Sequence, residues 1–158
     1  MSVLGELAAI ELGNATSALR QLWSGLKGEA RVPLRSAFGP EVLKPWLSNI
    51  VIVEARGTPP RFLIRLAGTA AVSFAGRDFT GRFLDEVIPP DHYKTTVEPY
   101  LYAIETAQPT EDDILRHQFF APDGTNLPVR RLVMPCSSDG ALIDRFVVGL
   151  FLYRPESR

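Results

Sequence analysis

An aspartate and a histidine on one extended run, Asp112 or Asp113 with His117, are the residues here whose types suit proton transfer. In an apolar cavity such a pair would serve an isomerase or dehydratase as general acid and base. Along one strand, however, Asp113 and His117 share a face four residues apart, about 13 Å at ordinary rise, beyond a direct hydrogen bond. No catalytic residue is therefore assigned, and a small α+β enzyme with an Asp/His pair stands only as the alternative reading. Three arginines, Arg65, Arg130 and Arg131, offer guanidinium forks that can hold a carboxylate or a phosphate. Arg65 can equally pair with Asp85 or Glu86 as a structural contact. With two histidines and one cysteine in the chain, no metal site is expected.

The 158 residues suit one domain, and 46% hydrophobic with 22% charged residues is ordinary for a globular protein. Seventeen basic against eighteen acidic residues leave a net charge of -1, too little positive field to expect nucleic-acid binding. Glu6 and Glu11 interrupt the N-terminal apolar stretch, and no run approaches the roughly 18 apolar residues of a membrane span. A cytoplasmic protein that binds no membrane is expected.

The elements that must position these residues follow from periodicity. Leu4, Leu7, Leu19, Leu22 and Leu26 recur at helical spacing, so residues 1–28 read as a helical extension, interrupted at Gly13-Asn14 and stopped by Gly25 and Gly28. Residues 29–158 then form the domain. A short helix is expected over Glu41 to Leu47. Ile50 to Val53 and Arg61 to Leu66 are apolar runs around a Gly57-Thr58-Pro59-Pro60 turn, too short for a crossover, which predicts two antiparallel strands. Breakers at Gly76, Gly81 and Pro89-Pro90 divide the next stretch into short helices. Tyr93 to Thr106 follows as an amphipathic helix carrying Tyr93, Val97, Tyr100, Leu101 and Ile104 on one face, with Asp91 as cap and Pro99 as an expected kink.

Three extended runs close the chain, Asp113 to Ala121, Leu127 to Met134 and Leu142 to Tyr153, separated by Asp123-Gly124 and Asp139-Gly140. A two-residue turn at Asp123-Gly124 would place His117 opposite Arg130 and Arg116 opposite Arg131. Both faces of this hairpin are apolar, one through Leu115 and Phe119 beside His117, the other through Ile114, Phe120, Leu127, Val129 and Val133, so the inward face stays open. The fold class is α+β, a five-stranded antiparallel sheet with helices on one face, the N-terminal helix free to cover the other, and the first and last strands adjacent.

This order resembles the PAS fold, and the residues resemble a bacterial family of small stand-alone PAS-like proteins. The resemblance runs from Leu22-Trp23 to Tyr153 through Arg65-Leu66-Ala67-Gly68-Thr69, Asp78-Phe79-Thr80-Gly81, Arg131-Leu132-Val133-Met134-Pro135, Asp139-Gly140 and Asp144-Arg145. The family's acidic residue before the proline near position 40 is Gly39 here, a departure that touches only that helix start. The resemblance implies a non-catalytic sensory or protein-interaction module that binds a small molecule or a signalling partner and dimerises through its N-terminal helix.

It also implies a pocket between sheet and helices, for which Phe74, Phe79, Phe83, Tyr100, His117 and Arg130 are the candidate lining. Leu4, Leu7, Leu19, Leu22 and Leu26 are the candidate homodimer interface. No cofactor is expected. His92, at a helix start, is a poor haem ligand, and Cys136 lacks the Asn-Cys-Arg setting of flavin-binding light sensors and reads as a small buried hydrophobe.

Overall fold

The computed structural model of the chain describes residues 3–115 and 128–152, with side chains described for 15–114 and 128–152. Within these residues five strands form one antiparallel sheet, β1 (Ile50–Arg56), β2 (Arg61–Ala67), β3 (Thr110–Leu115), β4 (Pro128–Cys136) and β5 (Arg145–Leu152), in the spatial order β2-β1-β5-β4-β3. The first and last strands pair along five residues, from Ile50 opposite Gly149 to Glu54 opposite Arg145. Helix α1 (Val3–Lys27) lies against one face of the sheet, and α3 (Thr69–Ala75), α4 (Leu84–Val87) and α5 (Pro90–Thr106) cover the other. A short α2 (Pro40–Leu43) and a 3-10 turn over Lys44–Asn49 lead into β1.

Alternation within β1 shows how one run serves two cores. Ile50 and Ile52 pack under α1 with Leu132, Met134, Cys136 and Val147, while Val51 and Val53 face the short helices with Phe62, Val133, Phe146 and Val148. Side chains of a strand point alternately to the two faces, and β-branched residues suit a position covered on both. On the short-helix side Phe62, Tyr100 and Phe146 form an aromatic triangle with ring centroids 5.1 to 6.0 Å apart. Each such pair contributes about 1 kcal/mol beyond its buried area.

Helix α1 is continuous through Gly13-Asn14, where an interruption was expected, and passes Gly25 to end at Gly28, whose φ is 55°. A helical glycine costs about 1 kcal/mol, whereas Ala15, Leu19 and Trp23, at four-residue intervals, are all buried against the sheet. Trp23 also donates its indole N–H to the Pro135 carbonyl at 2.8 Å. Packing of one apolar stripe thus outweighs local propensity. Helix α5 likewise starts earlier than expected, with Pro90 in its first turn and Pro89 rather than Asp91 as cap, and runs on past Pro99. Its buried face is Thr96, Val97, Tyr100 and Ala103, and Leu101 is exposed rather than inward.

The β3–β4 register differs from expectation by four residues. Asp113 stands opposite Arg130 and Asp112 opposite Arg131, in the places expected for His117 and Arg116. The reason is electrostatic: the expected register sets Arg116 against Arg131, whereas the observed one sets two carboxylates against two guanidinium groups, and opposite charges favour facing positions. An even shift also leaves every side chain on its face. Arg116, His117 and the Asp123-Gly124 turn lie outside the described residues. Between β4 and β5 the connection containing Asp139-Gly140 is the loop 137–144, so β5 starts at Arg145 and not at Leu142. Asp144 holds this loop by accepting from the Ser138 amide at 2.8 Å and the Ser138 hydroxyl at 2.6 Å.

Where β2 hands over to α3, Gly68 is required by space and not by its φ of -71°. A Cβ there would stand 2.4 Å from the Ser48 carbonyl oxygen and 2.5 Å from that of Leu47, both backbone. Gly68→Ala should therefore destabilise the fold by about 2 kcal/mol or more. Gly39→Ala, at a helix start with nothing within 4 Å of the new carbon, should change it by less than about 0.5 kcal/mol. Urea unfolding of the two variants provides the comparison.

Candidate functional site

Between the sheet and the short helices the side chains do not close completely, leaving a cavity of about 80 Å³. Its sheet wall is Val51 and Val53 of β1, Ile64 of β2 and Val148 and Leu150 of β5, and its roof includes Ala71 of α3, Leu84 and Val87 of α4 and Tyr100 of α5. Small residues at Ala67 of β2 and at Ala71 and Ala75 of α3 help leave the space, beside the larger Ile64 and Val72 of the same two elements. The exposed Arg77, stacked 5.4 Å from the Phe79 ring, marks its outer end.

The polar exception inside is Arg131 of β4, whose side chain is 2% exposed. Its Nε and Nη2 donate to the two oxygens of Asp112 at 3.0 and 2.8 Å, and Nη1 donates to the Thr96 carbonyl at 2.7 Å. Register places Asp112 directly opposite on β3. Thr96 belongs to the stretch of α5 where Pro99 has no N–H to return to the Thr95 carbonyl, a loosened turn into which a side-chain donor can insert. Taking a guanidinium out of water costs several kcal/mol unless its charge and donors are matched. Here burial alone would lower the Arg131 pKa, and Asp112 with Tyr100 outweighs it and holds the group above its ordinary value. The guanidinium carbon lies 5.7 Å from the centre of the Tyr100 ring. Burial, opposed by Arg131 and aided by Asp112, raises the Tyr100 phenol above its usual range, so at neutral pH it remains protonated.

The reverse face of the same ladder carries a second set of ion pairs. Arg130 donates to Glu111 at 2.9 Å and to Asp113, and Glu111 also accepts from Arg20 of α1 at 3.0 Å. Burial would raise the Glu111 pKa, but the hydrogen bonds from Arg130 and Arg20 outweigh it and hold the carboxyl below its ordinary value. Neighbouring residues of two strands thus face the cavity and α1 respectively.

Of the expected pocket residues, Tyr100 and Phe79 line the cavity. Phe83 instead lies at the outer edge of β2, pairing its backbone with Leu63 and stacking 3.9 Å under the Arg61 guanidinium. Phe74 is half-buried on α3 away from the lining, Arg130 is on the α1 side, and His117 falls outside the described residues. Thr96 and Arg77 were missed, and Asp112 was considered only as a base; both of its oxygens accept from Arg131, which leaves it committed. Arg65 pairs with Glu54 at 3.1 Å, not with Asp85 or Glu86; Asp85 is held by Arg61 at 2.7 and 2.8 Å. Glu54 is buried under α1's side of the sheet and gathers Arg56 and Arg145 as well.

Leu19, expected at a dimer interface, is fully buried within its own chain, with Leu22 and Leu26 packed partly beside it; Leu4 and Leu7 lie among the undescribed side chains. Cys136 also faces α1, away from the cavity, and burial pushes its thiol up to about 12. His92 stands one turn before Thr96, outside the lining. Among the described residues no group of three His, Cys, Asp or Glu side chains could hold a metal ion, and no helix is long and apolar enough to cross a membrane.

A family profile described as a PAS domain matches residues 13–150, which includes the cavity, the β3–β4 ladder and the packed half of α1. The chain belongs to the PAS domain family. Among solved structures, the PAS domain here is similar to a light-oxygen-voltage domain studied with a flavin analogue, at 16% identity over 72% of this chain and 83% of that one, with a TM-score of 0.53. It is also similar to the light state of the blue-light photoreceptor Aureochrome1 LOV, at 19% identity over 72% and 88%, with a TM-score of 0.50. At such identities the likeness is one of fold. No curated protein matches.

The back-to-back ion pairs of this PAS domain differ in burial, and so in what their loss should cost. Asp112→Ala strands a buried cation and should cost about 3 kcal/mol in denaturant unfolding, more than Arg131→Met, which leaves a carboxylate already 35% exposed and able to rehydrate. Glu111, with its lowered folded pKa, contributes stability that is complete above the ordinary carboxylate range and lost as pH falls through the folded value. Arg20→Ala should therefore lower stability near neutrality, and the gap from the parent protein should close on acidification, as read from unfolding curves across pH.

Proposed function

We propose that this PAS domain is a non-catalytic sensory module that takes a small molecule into the cavity between sheet and short helices and passes its occupancy to α1. The observation that carries this reading is the β3–β4 ladder, which sets Arg131, held by Asp112, in the cavity lining and, one residue away on each strand, turns Arg130 and Glu111 to the α1 side, where Arg20 pairs with Glu111. A ligand that displaces the first pair moves the strand that carries the second. Signalling is then a population shift: the ligand favours one seating of α1, and a partner reads that seating.

The partner we propose is a second copy of the chain, joined through residues 3–14 of α1. The second half of the helix is already committed to its own sheet through Ala15, Leu19 and Trp23, which moves the contact toward Leu4 and Leu7.

Flavin, named for one structural neighbour, does not fit this chain. A cavity of about 80 Å³ is far below what a three-ring cofactor occupies, and Cys136 is on the other side of the sheet with its thiol held protonated.

Deleting residues 1–14 tests the association and spares the packed half of α1. The expected result is a folded monomer in light scattering where the full chain gives a dimer; a full chain that is already monomeric at micromolar concentration removes the homodimer from the proposal.

A further inference from the structure

The chemistry at the head of the cavity narrows what it can take, granted the reading that it takes a small molecule. A guanidinium has five N–H groups. Three of those on Arg131 have acceptors, two on Asp112 and one on the Thr96 carbonyl, and the phenol of Tyr100 stands beside the group as a candidate for a fourth. At least one donor is therefore left over on a side chain that belongs to the cavity lining, which is otherwise built from Val, Ile, Leu, Ala and Phe side chains, with Thr96 directing its hydroxyl to the His92 carbonyl and Arg77 at the outer end.

Charge then decides the class. Arg131 and Asp112 together are neutral, and Asp112 already occupies the bidentate edge of the fork. At the Arg131 end an anionic ligand would bring a second negative charge beside Asp112, with Arg77 at the far, exposed end of the lining, and a cationic ligand would face both guanidinium groups across an apolar space. A hydrocarbon would leave the remaining N–H without an acceptor, which a buried donor does not tolerate well. Size sets the other limit: about 80 Å³ is smaller than the roughly 150 Å³ apolar cavity that admits benzene.

We propose that the cavity takes an uncharged, mostly apolar molecule of about five non-hydrogen atoms bearing one hydrogen-bond acceptor, a carbonyl oxygen above all, which accepts from Arg131.

Three probes of one shape separate the possibilities: butanone, 2-methylbut-1-ene, in which a methylene replaces the oxygen, and propanoate, in which the acceptor is charged. Each is titrated into the full-length isotopically labelled chain while the amides of Ala71, Arg131 and Val148 and the Arg131 Nε–H are followed by NMR. Butanone should give saturable shifts at these groups and cross-relaxation from its methyls to Val148, with the alkene at least fivefold and propanoate at least tenfold weaker. If the alkene or propanoate binds the same groups as tightly as butanone, the ligand class is wrong and the cavity reading survives. If none of the three moves them to saturation, the cavity reading and this inference fall together.

Discussion

The pairing of Arg131 with Asp112 is the constraint around which this PAS domain is arranged. A guanidinium on the cavity side of β4 is unaffordable without a carboxylate in the facing position, and the facing position belongs to β3. The pair thereby holds β3 in register at the edge of the sheet, and its third donor ties that edge to the Thr96 carbonyl of α5. Strand pairing, helix docking and the polar end of the cavity all pass through one side chain. Removing it would change the shape of the site as well as its charge.

The sheet is thin enough for its two faces to be coupled by adjacency alone. One residue along from Arg131 and Asp112, the ladder turns Arg130 and Glu111 to the opposite side, where Arg20 of α1 joins them. Apolar residues do the same on a larger scale, Val51 and Val53 facing the short helices while Ile50 and Ile52 face α1. Close-packed interiors respond to displacement by shifting between arrangements and not by absorbing it locally. A strand that carries ion pairs to both layers is therefore a reasonable mechanical element for a sensor. The far end of the sheet follows the same rule of compensation, since the buried Glu54 is matched by Arg56, Arg65 and Arg145.

Much of the fold was legible in the sequence, and the residues that were not share a cause. The order of elements, the antiparallel sheet and the cover of both faces follow from apolar periodicity and from connections too short for crossovers. The N-terminal helix was expected to break at Gly13-Asn14, because propensity was weighed without the sheet that Ala15, Leu19 and Trp23 pack against. The hairpin register was expected from Asp123-Gly124, because turn chemistry is local and the charges that favour Asp112 opposite Arg131 are nineteen residues apart. Tyr100 and Phe79, expected in a pocket because they are aromatic, stand in the cavity lining; Thr96 contributes a backbone carbonyl, which no residue type announces.

What the sequence by itself determined is therefore the set of elements, their order and the two-sided burial of the strands, since each is written in the spacing of neighbouring apolar residues. Which of three arginines would be buried was decided only by the tertiary structure. Arg65, Arg130 and Arg131 are alike as letters, and on a hairpin apolar on both sides alternation cannot name the inward face. Burial of Arg131 depends on α5 and β3 arriving together with a carbonyl and a carboxylate, and that meeting exists only once the chain has folded.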